Sequence, residues 1–355
     1  MKKLFSITLS LTLLMALLAG CAGKPATTQP AGEQNDAPTE ESAAPETDAE
    51  VPVKTGLSMV TSVGSSTDAS AESDGIAQAS VSLVAVTVGD DGVIDDCVID
   101  MVQTRIGFNA AGQLTTDPAT TFASKNELGE AYGMKKGSSI GKEWNEQAAA
   151  MADYAVGKTV EELKGIAVND KGAPTDADLA ASVTLSIGSF LSGIEDAVGS
   201  AQHLGAKAGD ELKLVSTADM AGSADASAES NGLAQVSTTV AAVTFDGDTI
   251  TSCCIDAAQA DVNFSTEGVI TTDLAALQPT KNALGDSYGM KNASSIGKEW
   301  YEQAAAFCSY VTGKTADEVA AIAVNERTSP AEADLAASVT IGIGEFQSLI
   351  SKAAQ

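Results

Sequence analysis

The chain has 355 residues, 48 acidic against 20 basic side chains, a net charge of −28 and only 4% aromatic residues. Phosphate neutralisation needs clustered Lys and Arg and base stacking needs exposed rings, so this balance argues against nucleic acid and against lying flat on anionic lipid. One histidine, His203, excludes a His-built zinc site or a His-ligated haem in each of the two repeats found below; with no Cys-x-x-Cys-His run and no iron–sulfur spacing, any redox cofactor is expected to be organic.

The N-terminus carries Lys2 and Lys3, an apolar run from Leu4 to Leu18, and then Leu18-Ala19-Gly20-Cys21. The run is short for a membrane span and ends at small residues, which reads as a processed export signal. It resembles a bacterial lipoprotein signal with its lipobox. That resemblance implies a signal peptide over residues 1–20 and a mature chain starting at a lipidated Cys21, anchored at the extracytoplasmic face of the cell membrane. Residues 21–52 are rich in Ala, Thr, Pro, Gln and acidic side chains, and such a composition buries too little surface to offset its ordering entropy, so a disordered tether is expected.

Beyond the tether the sequence repeats itself. "KNELGEAYGMKKGSSIGKEWNEQAAA" from Lys125 returns as "KNALGDSYGMKNASSIGKEWYEQAAA" from Lys281, a shift of 156 residues that holds to the C-terminus. Upstream, "DASAESDGIAQ" at Asp68 matches "DASAESNGLAQ" at Asp225 with a shift of 157, and the one-residue difference falls between Gly89 and Val93, where a hairpin turn is expected. Two homologous domains follow, over residues 53–209 and 210–355, each long enough to bury a core.

Within each copy strands precede helices. Ala77 to Val88 and Val93 to Met101 alternate in strand fashion, with Val93, Cys97, Ile99 and Met101 on one face and Asp96 and Asp100 on the other. Cys97 and Cys253 then read as small core residues, and Cys254, on the opposite face with Asp256, as the more reactive thiol. Asp96 with Asp100, and Asp256, read either as a divalent-cation site or as a solvated strand face. "SSIGKEWNEQAAAMADYAV" places Ile140, Trp144, Ala148, Met151 and Ala155 on one helical face, with a cap expected at Ser138 or Ser139. Thr159 with Glu162, and Thr315 with Glu318, form capping-box patterns ahead of short helices. The expected class is α+β: an antiparallel sheet with helices on one face, twice.

The octapeptide "ADLAASVT" occurs at Ala177–Thr184 and again at Ala333–Thr340. Leu179, Val183, Ile187, Phe190, Ile194 and Val198 follow helical spacing, as do Leu335, Val339, Ile343, Phe346 and Ile350, so one reading is a packing helix needed once per copy, with Pro330 suited to a helix start. The other reading is functional. A twin-domain α+β lipoprotein whose domains each close on D-x-x-[small]-[small]-x-T resembles proteins built from the FMN-binding domain, among them flavinylated lipoproteins of extracellular electron transfer. In those, an Asp-x-x-Ser-Gly-Ala-Thr stretch carries FMN as a threonine phosphoester; here it reads Asp-Leu-Ala-Ala-Ser-Val-Thr. The resemblance implies Thr184 and Thr340 as attachment points, Asp178 and Asp334 as the motif aspartates, a flavin transferase as the installing partner, and a membrane reductase or quinone-linked donor. It implies an electron carrier with covalent FMN that catalyses no reaction on a substrate of its own.

The longest unchanged block, "YGMK" and "SSIGKEW", holds Tyr132, Met134, Lys142 and Trp144, with Tyr288, Met290, Lys298 and Trp300 in the second copy. One reading is a flavin or ligand pocket with an aromatic ring against the ligand and Lys135 or Lys142 at its polar edge. The other makes Trp144 core and "YGM" a turn. A non-redox surface lipoprotein holding a small ligand or peptide with its twin domains stands as the alternative function.

Overall fold

A computed structural model of the chain describes residues 51–355, so Cys21, the signal segment and the tether up to residue 50 lie outside the described residues. The fold is α+β, with two three-stranded antiparallel sheets ordered β1-β2-β3 and β4-β5-β6. The first is built from β1 (Lys54–Ser62), β2 (Gly75–Val88) and β3 (Ile94–Phe108), the second from β4 (Glu211–Asp219), β5 (Gly232–Asp246) and β6 (Thr249–Phe264). The hairpin turn falls between Val88 and Ile94, as its sequence implied, and the shorter Gly247-Asp248 turn absorbs the one-residue difference. β1 escaped the sequence reading, and β3 runs on past Met101 to Phe108.

Helices follow in the same order in each half. The first half has α1 (Lys125–Leu128), α2 (Trp144–Ala155), α3 (Val160–Lys164), α4 (Ala177–Ala180) and α5 (Gly188–Ser200). The second has α6 (Lys281–Leu284), α7 (Trp300–Val311), α8 (Ala316–Ala320), α9 (Ala333–Ala336) and α10 (Gly344–Ala353). Both capping boxes are present: Thr159 and Thr315 accept from the amides of Glu162 and Glu318, whose carboxylates accept in return. The expected cap at Ser138 or Ser139 is not used. α2 starts at Trp144 after Glu143, and Ile140 lies outside the helix in the preceding turn.

Each sheet is covered on both faces. One face of the first sheet packs Val84, Val86, Cys97 and Ile99 against Trp144, Met151, Phe190 and Ile194 of its own helices. The opposite face meets the second sheet, where Leu83, Val102, Leu214 and Val240 share one cluster and Ala79, Ile106, Val236 and Val262 another. Phe108 and Phe264 stack across that interface with ring centroids 4.3 Å apart. Two halves therefore share one core in the order helix, sheet, sheet, helix, and the described residues, 51–355, belong to one compact unit.

The repeated "DASAES" segment explains part of this joint. Asp68 Oδ1 accepts from the amide of Ile270, and Asp225 Oδ1 from the amide of Leu114, each at 2.7 Å. Alongside, the amide of Ala69 donates to Gly268 O and that of Ala226 to Gly112 O. Gly112 and Gly268 have φ of +67° and +68°, and a Cβ on either would come within 2.7 Å of the facing alanine's Cβ. Glycine is required there by conformation and by space.

Candidate functional site

The octapeptide does not form one packing helix. α4 ends at Ala180 and α5 starts at Gly188, so Thr184 lies on the connecting loop; Thr340 lies likewise between α9 and α10. Val183 and Ile187 are fully buried although neither is within a helix, so loop side chains supply the apolar spacing that reads as continuous helical periodicity. Pro330 pairs with Val324 in an isolated bridge, three residues ahead of α9, and does not start the helix.

Both threonines are half-buried and share two bonds to a glutamine, although Thr340 O also accepts from Ser329 Oγ, where the first half has Ala173. The Thr184 amide donates to Gln147 Oε1 at 2.8 Å and its hydroxyl to the same oxygen at 3.1 Å. Thr340 makes the same two bonds, at 2.8 and 3.1 Å, to Gln303 Oε1. Gln147 is fully buried, and its Nε2 donates to Ser138 Oγ and to Lys142 O, each at 3.3 Å. Gln303 repeats this with Ser294 Oγ at 3.3 Å and Lys298 O at 3.1 Å. The unchanged block is thereby tied to the octapeptide, with Gln147 and Gln303 as the connecting residues. Sequence reasoning passed over them because a glutamine before an alanine run reads as a solvated helix position; identity between the copies was the available signal.

The other expected site residues divide. Trp144 is core, edge-on to Phe190 with centroids 5.8 Å apart, and Trp300 meets Phe346 in the same way at 6.0 Å. Tyr132 and Met134 are partly buried against the first helical core, Tyr288 and Met290 against the second. The lysine at the rings is neither Lys135 nor Lys142. Lys135 pairs with Glu130 at the surface, whereas the Lys125 ammonium sits 4.6 Å from the Tyr132 centroid and 4.9 Å from that of Trp144. Lys281 takes the same place over Tyr288 and Trp300, at 5.3 and 5.1 Å. Lys142 and Lys298 serve through their backbone carbonyls.

The Glu143 carboxylate is buried and accepts from the amides of Met134 and Lys135 at 2.8 and 2.9 Å, and Glu299 does the same for Met290 and Lys291. Asp178 and Asp334 are exposed one turn or more before their threonines, and no hydrogen bond joins Asp178 to Thr184 among the described residues.

Of the strand carboxylates, Asp96 is half-buried, and Asp100 and Asp256 are not on a solvated face. Asp100 and Asp256 are buried, and each accepts from an asparagine amide, Asn126 at 3.0 Å and Asn282 at 3.1 Å. Burial is the main reason both carboxyls sit above the ordinary aspartate range, with their hydrogen bonds opposing it. Cys97 and Cys253 are core residues, as their spacing implied. Cys254 is not an activated thiol: burial pushes it up to about 12.

Chemically, a threonine hydroxyl bonded to a neutral amide oxygen is oriented but not activated, since Gln147 is no general base. α5 and α10, which follow the two threonines, start at Gly188 and Gly344 with no side-chain cap, so their first amides remain as donors toward the loop. Among the described residues no cluster of three or more His, Cys, Asp or Glu could hold a metal ion, and no helix is long and apolar enough to cross a membrane. No protein-family model, no curated protein and no solved structure matches the chain.

Proposed function

We propose that the chain is a lipid-anchored extracytoplasmic electron carrier with FMN esterified through its phosphate to Thr184 and Thr340. One observation carries this reading. The same threonine in both halves stands on a loop between helices, half-exposed, with its hydroxyl held by a fully buried glutamine. A residue needed only for packing has no reason to leave the helix twice with the same two bonds to a buried glutamine.

The residues present suit such a group. A fixed, unactivated hydroxyl fits an acceptor whose base and metal belong to a separate transferase. The uncapped amides that open α5 and α10 favour a phosphodiester near the loop. Gln147 and Gln303 orient the acceptor oxygen, and Ser138, Ser294 and two lysine carbonyls lock the glutamines. Bound FMN supplies electron transfer in one- or two-electron steps. The anchor at Cys21 and the tether would keep the carrier near a membrane reductase or quinone-linked donor while leaving it reach outward.

The test is co-expression of the full chain with a flavin transferase, followed by acid precipitation. Flavin absorbance that stays in the protein pellet supports the reading; a colourless pellet beside an active transferase contradicts it.

A further inference from the structure

The two halves repeat closely, but the junctions between them differ. At one junction Lys352 of α10 crosses to Glu127 of α1 in an ion pair and also donates to Ser216 O at 2.6 Å. By the repeat, the counterparts of Lys352 and Glu127 are Asp196 of α5 and Ala283 of α6. An aspartate and an alanine cannot make that bridge. At that second junction a cavity of about 570 Å3 opens between β1 and α5 of one half and β6, α6 and α7 of the other, and both Asp196 and Ala283 line it.

Its chemistry is one-sided. Leu57, Met59, Leu204, Ile255, Ala305 and the Tyr301 ring supply apolar wall. Asp196 and Asp256 are its only charged lining groups, with no lysine, arginine or histidine among the described lining residues. Asp256 is engaged with the Asn282 amide, whereas Asp196 is exposed and has no ion-pair partner among the described residues. The size lies within the ordinary range for small-molecule sites. An anion would meet only like charge here, and a neutral ligand would leave the Asp196 carboxylate unused.

We infer that this junction is a binding site for a small organic cation, an apolar body seated between the halves with a protonated amine at Asp196. It takes one molecule per chain, since the Lys352–Glu127 ion pair occupies the corresponding place at the other junction. The site is separate from the threonine loops and does not depend on flavin.

Calorimetry on the full chain, expressed without a flavin transferase, tests it with three probes sharing one body: phenylbutylamine, phenylbutanol and phenylbutyrate. The expected result is one amine per chain, bound about tenfold or more tighter than the alcohol, with no binding of the carboxylate. Asp196→Asn should bring amine and alcohol to within about twofold of each other. Asp196→Lys with Ala283→Glu should rebuild the ion pair, abolish binding of both and leave the melting temperature unchanged or raised. Equal affinity for all three probes, no binding of the amine, or undiminished binding in the folded double variant would overturn the inference.

Discussion

Gln147 Oε1 accepts both the amide and the hydroxyl hydrogen of Thr184, at 2.8 and 3.1 Å, from a position of complete burial. Gln147→Met would keep the side-chain volume and remove the acceptor, leaving the Thr184 amide and hydroxyl without their partner. A destabilisation of about 1–3 kcal/mol is expected. Under the flavin reading, Thr184 loading should fall steeply while Thr340, served by Gln303, keeps its level. Peptide mass mapping of both threonines after co-expression checks the split, and equal loss at both sites would point to misfolding.

The reciprocal caps Asp68 to Ile270 and Asp225 to Leu114 cross between the halves. Asp68→Ala and Asp225→Ala should each cost about 1–2 kcal/mol, because a backbone amide loses its carboxylate acceptor. The pair should destabilise both halves in a single transition, since they share one core. Denaturant unfolding followed by far-UV circular dichroism would reveal two separate transitions if the halves fold independently.

Asp100 and Asp256 hold their protons more tightly when folded than an ordinary aspartate at 3.8, chiefly through burial. The folded state then binds more protons than the unfolded state above that value, so these groups lose stabilising effect as pH rises through their folded range. Asp100→Asn with Asp256→Asn keeps the acceptor oxygens and removes the titration. Relative to the parent, the double variant should gain stability as pH is raised from about 4 to 7. Thermal melts across that range measure it, and a difference independent of pH would contradict the assignment.

Burial raises the Cys97 and Cys308 thiols and holds that of Cys254 up at about 12, so these three carry almost no thiolate near neutrality, and Cys253 is also buried. Alkylation by iodoacetamide at pH 8 should be slow in the folded protein and fast in denaturant. Rapid labelling of native Cys254 would restore the reactive-thiol reading.

Much of this architecture is legible from the residues. The repeat, the hairpin at Gly89 to Val93, the two capping boxes and the inward Cys97 and Cys253 all follow from local pattern, and local pattern is what spacing reports. What escaped depends on tertiary contact. Alternation separates the faces of β3 and β6 but cannot say that both are covered, so Asp100 and Asp256 read as solvated. Val183 and Ile187 keep helical spacing from a loop, which hid the break around Thr184. Lys125 reaches its rings from another helix, and no spacing argument connects it to Trp144.

The most direct measurement is the intact mass of the full chain co-expressed with a flavin transferase, beside Thr184→Ala, Thr340→Ala and the double variant. Two FMN ester increments are expected on the parent, one on each single variant and none on the double. An unmodified parent, or increments that survive loss of both threonines, would contradict the flavin reading.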